Sequence, residues 1–264
     1  MQLDLQQVGY STDEGPLIED VSCTIREGQC VLVMGPSGSG KTLLMKMMAA
    51  IIPPTEGSVL FDQVDTASMS DRELDRNRLR HGFVFQDAAL WQNLTVLNNL
   101  TLPTQYHFPK RDPAEIQRRV DRLCRTLAFT EDLNQRPARL SAGERKTAAI
   151  IRSMMLNPEI YFMDEPSGGL DASTADHLLV VLKDLKAQGR SLVIASHDSE
   201  IASQLADWIL VIDQGRVLAY DAVEQLTRTT DTRVREILAD VFDLSSTYDA
   251  DILDILGSNN DPFA

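Results

Sequence analysis

No apolar run among the 264 residues approaches the roughly 18 that a membrane-crossing helix needs. Cysteine is sparse: Cys23, Cys30 and Cys124 are odd in number and show no C-x-x-C spacing. That excludes a disulfide framework and a zinc ribbon, and leaves three small core residues in a reducing compartment. Basic side chains are outnumbered, 25 Lys and Arg against 39 Asp and Glu, and a net charge of −14 argues against a general nucleic-acid binder. Internal repeats, low-complexity tracts and a signal-peptide pattern are also lacking. The expectation is a soluble chain that buries one domain, or one domain with a subdomain.

Glycine, by contrast, is concentrated where it is conformationally costly. In "MGPSGSGKT", residues 34 to 42, three glycines and two serines separate the strand-like "CVLV" from the helix-like "LLMKMM". G-x-x-x-x-G-K-T between a strand and a helix is the P-loop pattern. A phosphate chain has to be ringed by backbone N–H groups, and Cβ atoms at Gly35, Gly38 and Gly40 would block the turn or the approach. Pro36, Ser37 and Ser39 complete the loop. Lys41 is expected to reach the β- and γ-phosphates, the Thr42 hydroxyl to bind Mg²⁺, and the following helix to aim its positive end at the anion. No N-K-x-D guanine reader accompanies the loop, so the nucleotide is not GTP.

Patterning along the chain predicts an α/β layer interrupted by a mostly helical insert from about 87 to 157. "VLVMG", "SVLFDQVDT" and "HGFVFQ" read as strands before it; "EIYFMDE", "SLVIAS" and "WILVIDQGRVLAY" read as strands after it, with a helix from about Ser173 to Gln188. Inside the insert, Ile116, Val120, Leu123 and Leu127 form one apolar helical face opposite arginines, started by Asp112 as N-cap and Pro113 at the first helical position. "IYFMDE" ends a buried strand in two carboxylates. Beside a P-loop these suit Mg²⁺ association, Asp164, and activation of an attacking water, Glu165.

With "LSAGERK" at 140 to 146, the order and separation of Gly35 to Thr42, Gln86, "IYFMDEPSGGLD" and "SHD" make the chain resemble the ATPase subunit of an ABC transporter over nearly its whole length. The resemblance implies the P-loop NTPase ABC ATPase fold: a RecA-like core, an antiparallel β subdomain and an inserted α-helical subdomain, over residues 1 to 226. It implies ATP and Mg²⁺ as cofactors and ATP hydrolysis coupled to transport. Ser141 and Gly143 would sit at a helix start and bind the γ-phosphate of ATP held by a second subunit, with Ala142 and Glu144 departing from the usual L-S-G-G-Q. Glu144 brings a negative charge near that phosphate. Gln86 would contact Mg²⁺ and the attacking water, His197 the γ-phosphate, and Asp171 the dimer partner, with Gly169 in place of a commoner alanine. Tyr10 either stacks on adenine or is a half-buried strand tyrosine. His81, His107 and His177 are left as surface or packing residues.

Each motif occurs once, so the resemblance implies two chains sandwiching two ATPs, as a homodimer or with a related subunit. "FQDAALWQNLTVLNNLTLP", 85 to 103, and "TRTTDTRVREIL", 227 to 238, look like the corresponding stretches of Mla-type ATPases, which power phospholipid trafficking. Lipoprotein-release and cell-division ABC subunits share "LTVLNNLTLP", so a mechanical or regulatory module is the alternative. Leu90, Trp91 and Leu94 would suit the groove that receives a membrane permease near residues 86 to 103, or else belong to subdomain core. These partners would hold the chain on the cytoplasmic face of the inner membrane, with no role for nucleic acid.

From Ala239 to Ala264 there are six acids and no base, yet Val241, Phe242, Leu244, Tyr248 and "ADILDIL" at 250 to 256 are too apolar for a purely solvated tail. The C-terminal extension, 227 to 264, is expected to cover a surface on the second ATPase subunit or on an accessory subunit.

Overall fold

The computed structural model describes residues 1 to 242; "ADILDIL" lies outside the described residues. The chain opens with β1 (Leu3–Thr12), β2 (Gly15–Ile25) and β3 (Cys30–Met34), then α1 (Lys41–Met48), β4 (Glu56–Phe61), β5 (Val64–Asp65), α2 (Asp71–Arg78) and β6 (His81–Val84). Three helices intervene, α3 (Val96–His107), α4 (Pro113–Thr126) and α5 (Ala142–Met154), before β7 (Ile160–Asp164). The remainder is α6 (Ala172–Ala187), β8 (Ser191–Ala195), α7 (Ser199–Leu205), β9 (Trp208–Asp213), β10 (Arg216–Ala222), α8 (Val223–Leu226) and α9 (Thr232–Ala239).

Two sheets result. One is antiparallel in the order β2-β1-β4-β5; the other runs β10-β9-β3-β8-β7-β6, parallel except for β10. Strands β3, β7 and β8 are buried at every position because the larger sheet is covered on both faces. Alternation sorts their side chains: Leu32, Met163 and Ile194 face a core shared with α3 to α7, while Val33, Phe162 and Val193 face α1 and the smaller sheet. Each such side chain contributes about 1.5–3 kcal/mol of burial before ordering costs.

Helix α4 starts as its sequence dictates, with Asp112 Oδ1 accepting from the Ala114 N–H at 3.0 Å and Pro113 next. Two segments expected as single strands are hairpins instead. Asp62 and Gln63 (φ 48° and 70°) divide "SVLFDQVDT" into β4 and β5, and Gln214 and Gly215 (φ 48° and 77°) divide "WILVIDQGRVLAY" into β9 and β10. Two consecutive positive φ values make the tight turn whose twist suits antiparallel strands. Past Gln225, helix α9 buries Val234, Ile237 and Leu238 in the larger core; Val241 joins them and Phe242 packs alongside. This part of the extension covers its own chain.

Candidate nucleotide site

Strands β3, β6, β7 and β8 are parallel, so their carboxyl ends lie along one edge of the sheet, where open α/β sheets bind ligands. The residues that follow them meet around a cleft of about 480 Å³: the loop from Ser37 to Thr42 after β3, Gln86 after β6, Glu165 after β7 and His197 after β8. Four segments separated by up to 160 residues of chain thereby share one space.

The loop after β3 is built on close approach. A Cβ on Gly35 would fall 2.0 Å from the Ile212 carbonyl oxygen, and one on Gly40 would fall 2.6 Å from Ile18 Cδ1. Gly38 (φ 79°) and Gly40 (φ 102°) also hold left-handed backbone that a side chain would strain. Around Gly38 no heavy atom lies within 4 Å of that missing Cβ, so the loop is open on the cleft side. Lys41 Nζ donates to the Gly35 and Pro36 carbonyls at 2.6 and 3.0 Å, bridging the loop. Burial pulls the Lys41 ammonium below its ordinary range, while Glu165 and then Asp164 push it back up. The buried Ser39 hydroxyl has no partner among the described residues. An open cradle, an ammonium, an orphaned hydroxyl and the free N–H groups at the start of α1 fit a phosphate chain.

On the metal side, the Thr42 hydroxyl donates to Asp164 Oδ2 at 2.5 Å, and Asp164 is buried. Among the described residues no three His, Cys, Asp or Glu side chains gather to make a protein cage for a metal. One hydroxyl and one carboxylate fit Mg²⁺, which takes few protein ligands and completes its shell with phosphate oxygens and water.

Glu165 follows at φ 47°, a left-handed position for a non-glycine residue, held by its N–H donating to the Ala195 carbonyl at 2.8 Å. This turn aims its carboxylate into the cleft, with Oε1 3.8 Å from His197 Nε2. Burial raises the Glu165 carboxyl above the usual range; His197 opposes that, Asp164 adds to it, and Lys41 opposes it. A carboxylate made more basic beside a phosphate site is what a general base needs.

A second cavity, of about 370 Å³, holds Ser141, Gly143, Glu144 and Asp171. Ser141 caps α5: its Oγ accepts from the Glu144 N–H at 3.2 Å, and Glu144 Oε2 accepts from the Ser141 N–H at 2.7 Å. Asp171 caps α6 through the Thr174 N–H at 3.0 Å and hydroxyl at 2.7 Å. A Cβ on Gly143 would meet the Gly169 carbonyl oxygen at 2.6 Å, so glycine here is required by contact within the chain. Gly169 itself has φ 79°, which explains glycine in place of alanine. No residue lines both cavities, and one copy does not bring Ser141 to Lys41.

The ABC transporter family profile matches residues 18 to 168. The chain belongs to the ABC transporter family. It has the ABC ATPase fold, and ATP with Mg²⁺ is that family's cofactor pair. It is 34% identical over 220 residues to the sulfate/thiosulfate import ATP-binding protein CysA 2 of Rhizobium meliloti, covering 82% of this chain and 59% of that protein. It is 33% identical to the macrolide export ATP-binding/permease protein MacB of Bartonella henselae, covering 85% of this chain and 34% of that protein. The chain therefore spans about three fifths of the sulfate relative's length and a third of the macrolide exporter's. A dimeric ATP-binding cassette solved in a post-hydrolysis state with ADP and Pi superposes with a TM-score of 0.79 at 30% identity, over 84% of this chain and 98% of that one.

Within this ABC ATPase, Tyr10 stands apart. It is half-buried against the core beneath the smaller sheet, and Leu17, from the neighbouring strand β2, lines the cleft. Of the three apolar side chains read as permease groove or subdomain core, Leu90 is buried in the core and Leu94 is half-buried; only Trp91, 58% exposed, presents its face to solvent. His81 is a packing residue, its ring 4.4 Å from that of Phe61. Sequence reasoning missed Lys146 and Arg152. Both reach from α5 to the carbonyls around Gln86, and the available signal was Lys146 lying on the same helical stripe as Ala149 and Ile150.

Proposed function

We propose that this chain is the ATP-hydrolysing motor of a membrane transporter, working as two copies with ATP between them on the cytoplasmic face of the inner membrane, and that its cargo is phospholipid. The observation that carries the motor reading is the convergence of Lys41, Thr42, Asp164, Glu165, Gln86 and His197 on one cleft. Lys41 turns from the loop carbonyls to the β- and γ-phosphates, and Ser37, Gly38 and Gly40 give them backbone N–H groups. Leu17 supplies apolar surface for the base at the cleft, and Tyr10, on the adjoining strand, reaches it only if its ring turns out of the core. Glu165 takes the proton of the attacking water, which Gln86 helps to orient, and His197 donates to the γ-phosphate. Mg²⁺, when bound near Thr42, Asp164 and Gln86, neutralises charge developing on the phosphate oxygens.

Ser141, Gly143 and Glu144 close the partner's site, and Asp171 steadies the contact between copies. The separation of the two cavities within one chain supports this division. The exposed Trp91 supports docking of a permease near residues 86 to 103. Phospholipid as cargo rests on the likeness of residues 85 to 103 and 227 to 238 to Mla-type ATPases; the relatives named above carry sulfate, thiosulfate or macrolides. Purifying the tagged full-length chain from its native membranes, with identification of bound proteins and lipids, tests the reading. An integral permease with enriched phospholipid is expected. A lipoprotein-release or cell-division complex without enriched lipid would replace the cargo reading, and no membrane protein at all would overturn the transporter.

A further inference from the structure

Lys146 is one of the few charged side chains buried among the described residues, only 4% exposed, on the second turn of α5. Its ammonium has three N–H donors and three acceptors: the Gln86 carbonyl at 2.6 Å, the Phe85 carbonyl at 3.1 Å and the Asp164 carbonyl at 3.3 Å. The acceptors belong to two segments, the loop after β6 and the end of β7. Arg152, two turns further along the same helix, donates to the Ala88 and Ala89 carbonyls at 2.9 and 2.8 Å. Ala88 and Ala89 hold φ values of 65° and 45°, uncommon for residues with a Cβ, so this loop keeps its path because it is tied.

A buried ammonium costs free energy unless its donors are all used, and an apolar side chain of this length would serve packing alone at less expense. What the ammonium adds is a joint. The Asp164 carbonyl it holds is one peptide away from Glu165, and the Gln86 carbonyl it holds is five residues from exposed Trp91.

We infer that Lys146 is a positioning residue which makes the Gln86 loop and the strand end bearing Asp164 and Glu165 move as one body, so that displacement of residues 86 to 91 alters the placement of the reacting carboxylate. This rests on the reading of Glu165 as the general base and of the Trp91 face as the permease contact. Lys146 Nζ donates to three backbone carbonyls and does not line the nucleotide cleft, so its loss is expected to affect the chemical step and spare nucleotide binding.

The test uses the purified full-length chain with Mg²⁺ and ATP, comparing wild type, Lys146→Met, Lys146→Gln and Glu165→Gln. Methionine keeps the length of the stem and removes every donor; glutamine keeps two N–H donors. Misplacing a catalytic group by about 1 Å costs on the order of 10²-fold. The expected result is kcat reduced about 10- to 100-fold in Lys146→Met and less in Lys146→Gln, KM for ATP within about threefold of wild type, and faster amide exchange at residues 85 to 89. Wild-type kcat in Lys146→Met with Glu165→Gln inactive would overturn the positioning role alone, whereas normal hydrolysis by Glu165→Gln would overturn the reading beneath it. Parallel losses of kcat, ATP affinity and melting temperature in both Lys146 variants would mean that the ammonium only holds the fold together. If Lys146→Met does not fold, the kcat-against-KM split of Lys146→Gln decides.

Discussion

The Thr42 hydroxyl stands 2.5 Å from the Asp164 carboxylate, joining the start of α1 to the end of β7 across 122 residues of chain. The two oxygens that fit Mg²⁺ are thus already held together by a hydrogen bond. Removing the hydroxyl in Thr42→Val deletes one ligand and leaves the buried Asp164 without its donor. The Mg²⁺ concentration for half-maximal hydrolysis is expected to rise about tenfold or more, equivalent to roughly 1.4 kcal/mol. Metal titration of ATPase activity checks this, and an unchanged midpoint would remove Thr42 from the metal site.

Glu165→Gln keeps the shape of the side chain and removes its basicity. Hydrolysis is expected to slow by about 10²- to 10⁴-fold while ATP binding persists, so the variant accumulates as an ATP-bound dimer. Lys41→Ala fails differently, losing nucleotide binding itself. Equilibrium ATP binding and turnover, measured on both variants, separate the two failures. Near-normal turnover in Glu165→Gln would place the base elsewhere.

Gly143→Ala inserts a methyl group 2.6 Å from the Gly169 carbonyl oxygen. Backbone on the segment from Glu165 to Asp171 must shift, at an expected cost of about 1–3 kcal/mol of stability. Urea unfolding measures it. An unchanged midpoint would mean that the two segments separate freely.

His81 gives the fold an acid limit. Burial is the main reason its pKa drops from the ordinary 6.5 to about 4; the Ala49 carbonyl bond and Glu159 favour the charged form, and Arg80 and Arg78 disfavour it. The unfolded chain therefore binds the proton more readily than the folded one. Its contribution to stability is complete above pH 6.5 and is lost as pH falls towards 4, at up to about 1.4 kcal/mol per pH unit. Unfolding measured between pH 7 and 4 should show this slope, reduced in His81→Phe. An identical slope in the variant would assign the acid limit to other groups.

Much of the site was legible because its parts are local. Gly35 to Thr42 is a contiguous turn whose glycines have no other economical use, and Asp164 and Glu165 end an unmistakable apolar strand. Lys146 gave only its place on the apolar stripe of α5 as a sign, because a lysine on a helix ordinarily reads as solvated, and its three acceptors come from segments distant in sequence. The Asp62–Gln63 turn escaped notice for the opposite reason: it adopts positive φ twice without the Asn-Gly or Gly-rich pair that announces such turns. Leu90 and Trp91 are adjacent and both apolar; which one faces solvent is decided by the packing of the helical insert. Val241 and Phe242 likewise looked unpartnered until α9 returned them to the core, so truncation after Leu238 removes packing from this chain as well as the acidic tail.

If each ATP is completed by the P-loop of one copy and the Ser141–Gly143 turn of the other, two differently damaged chains should rescue each other. Lys41→Ala chains and Ser141→Arg chains, each inactive alone, should regain partial ATPase activity when mixed, because each heterodimer then contains one intact composite site. The measurement is ATP turnover by heterodimers isolated through two different affinity tags. Activity approaching half that of wild type is the predicted result; heterodimers as inactive as either parent would mean that Ser141 and Gly143 do not complete the partner's site.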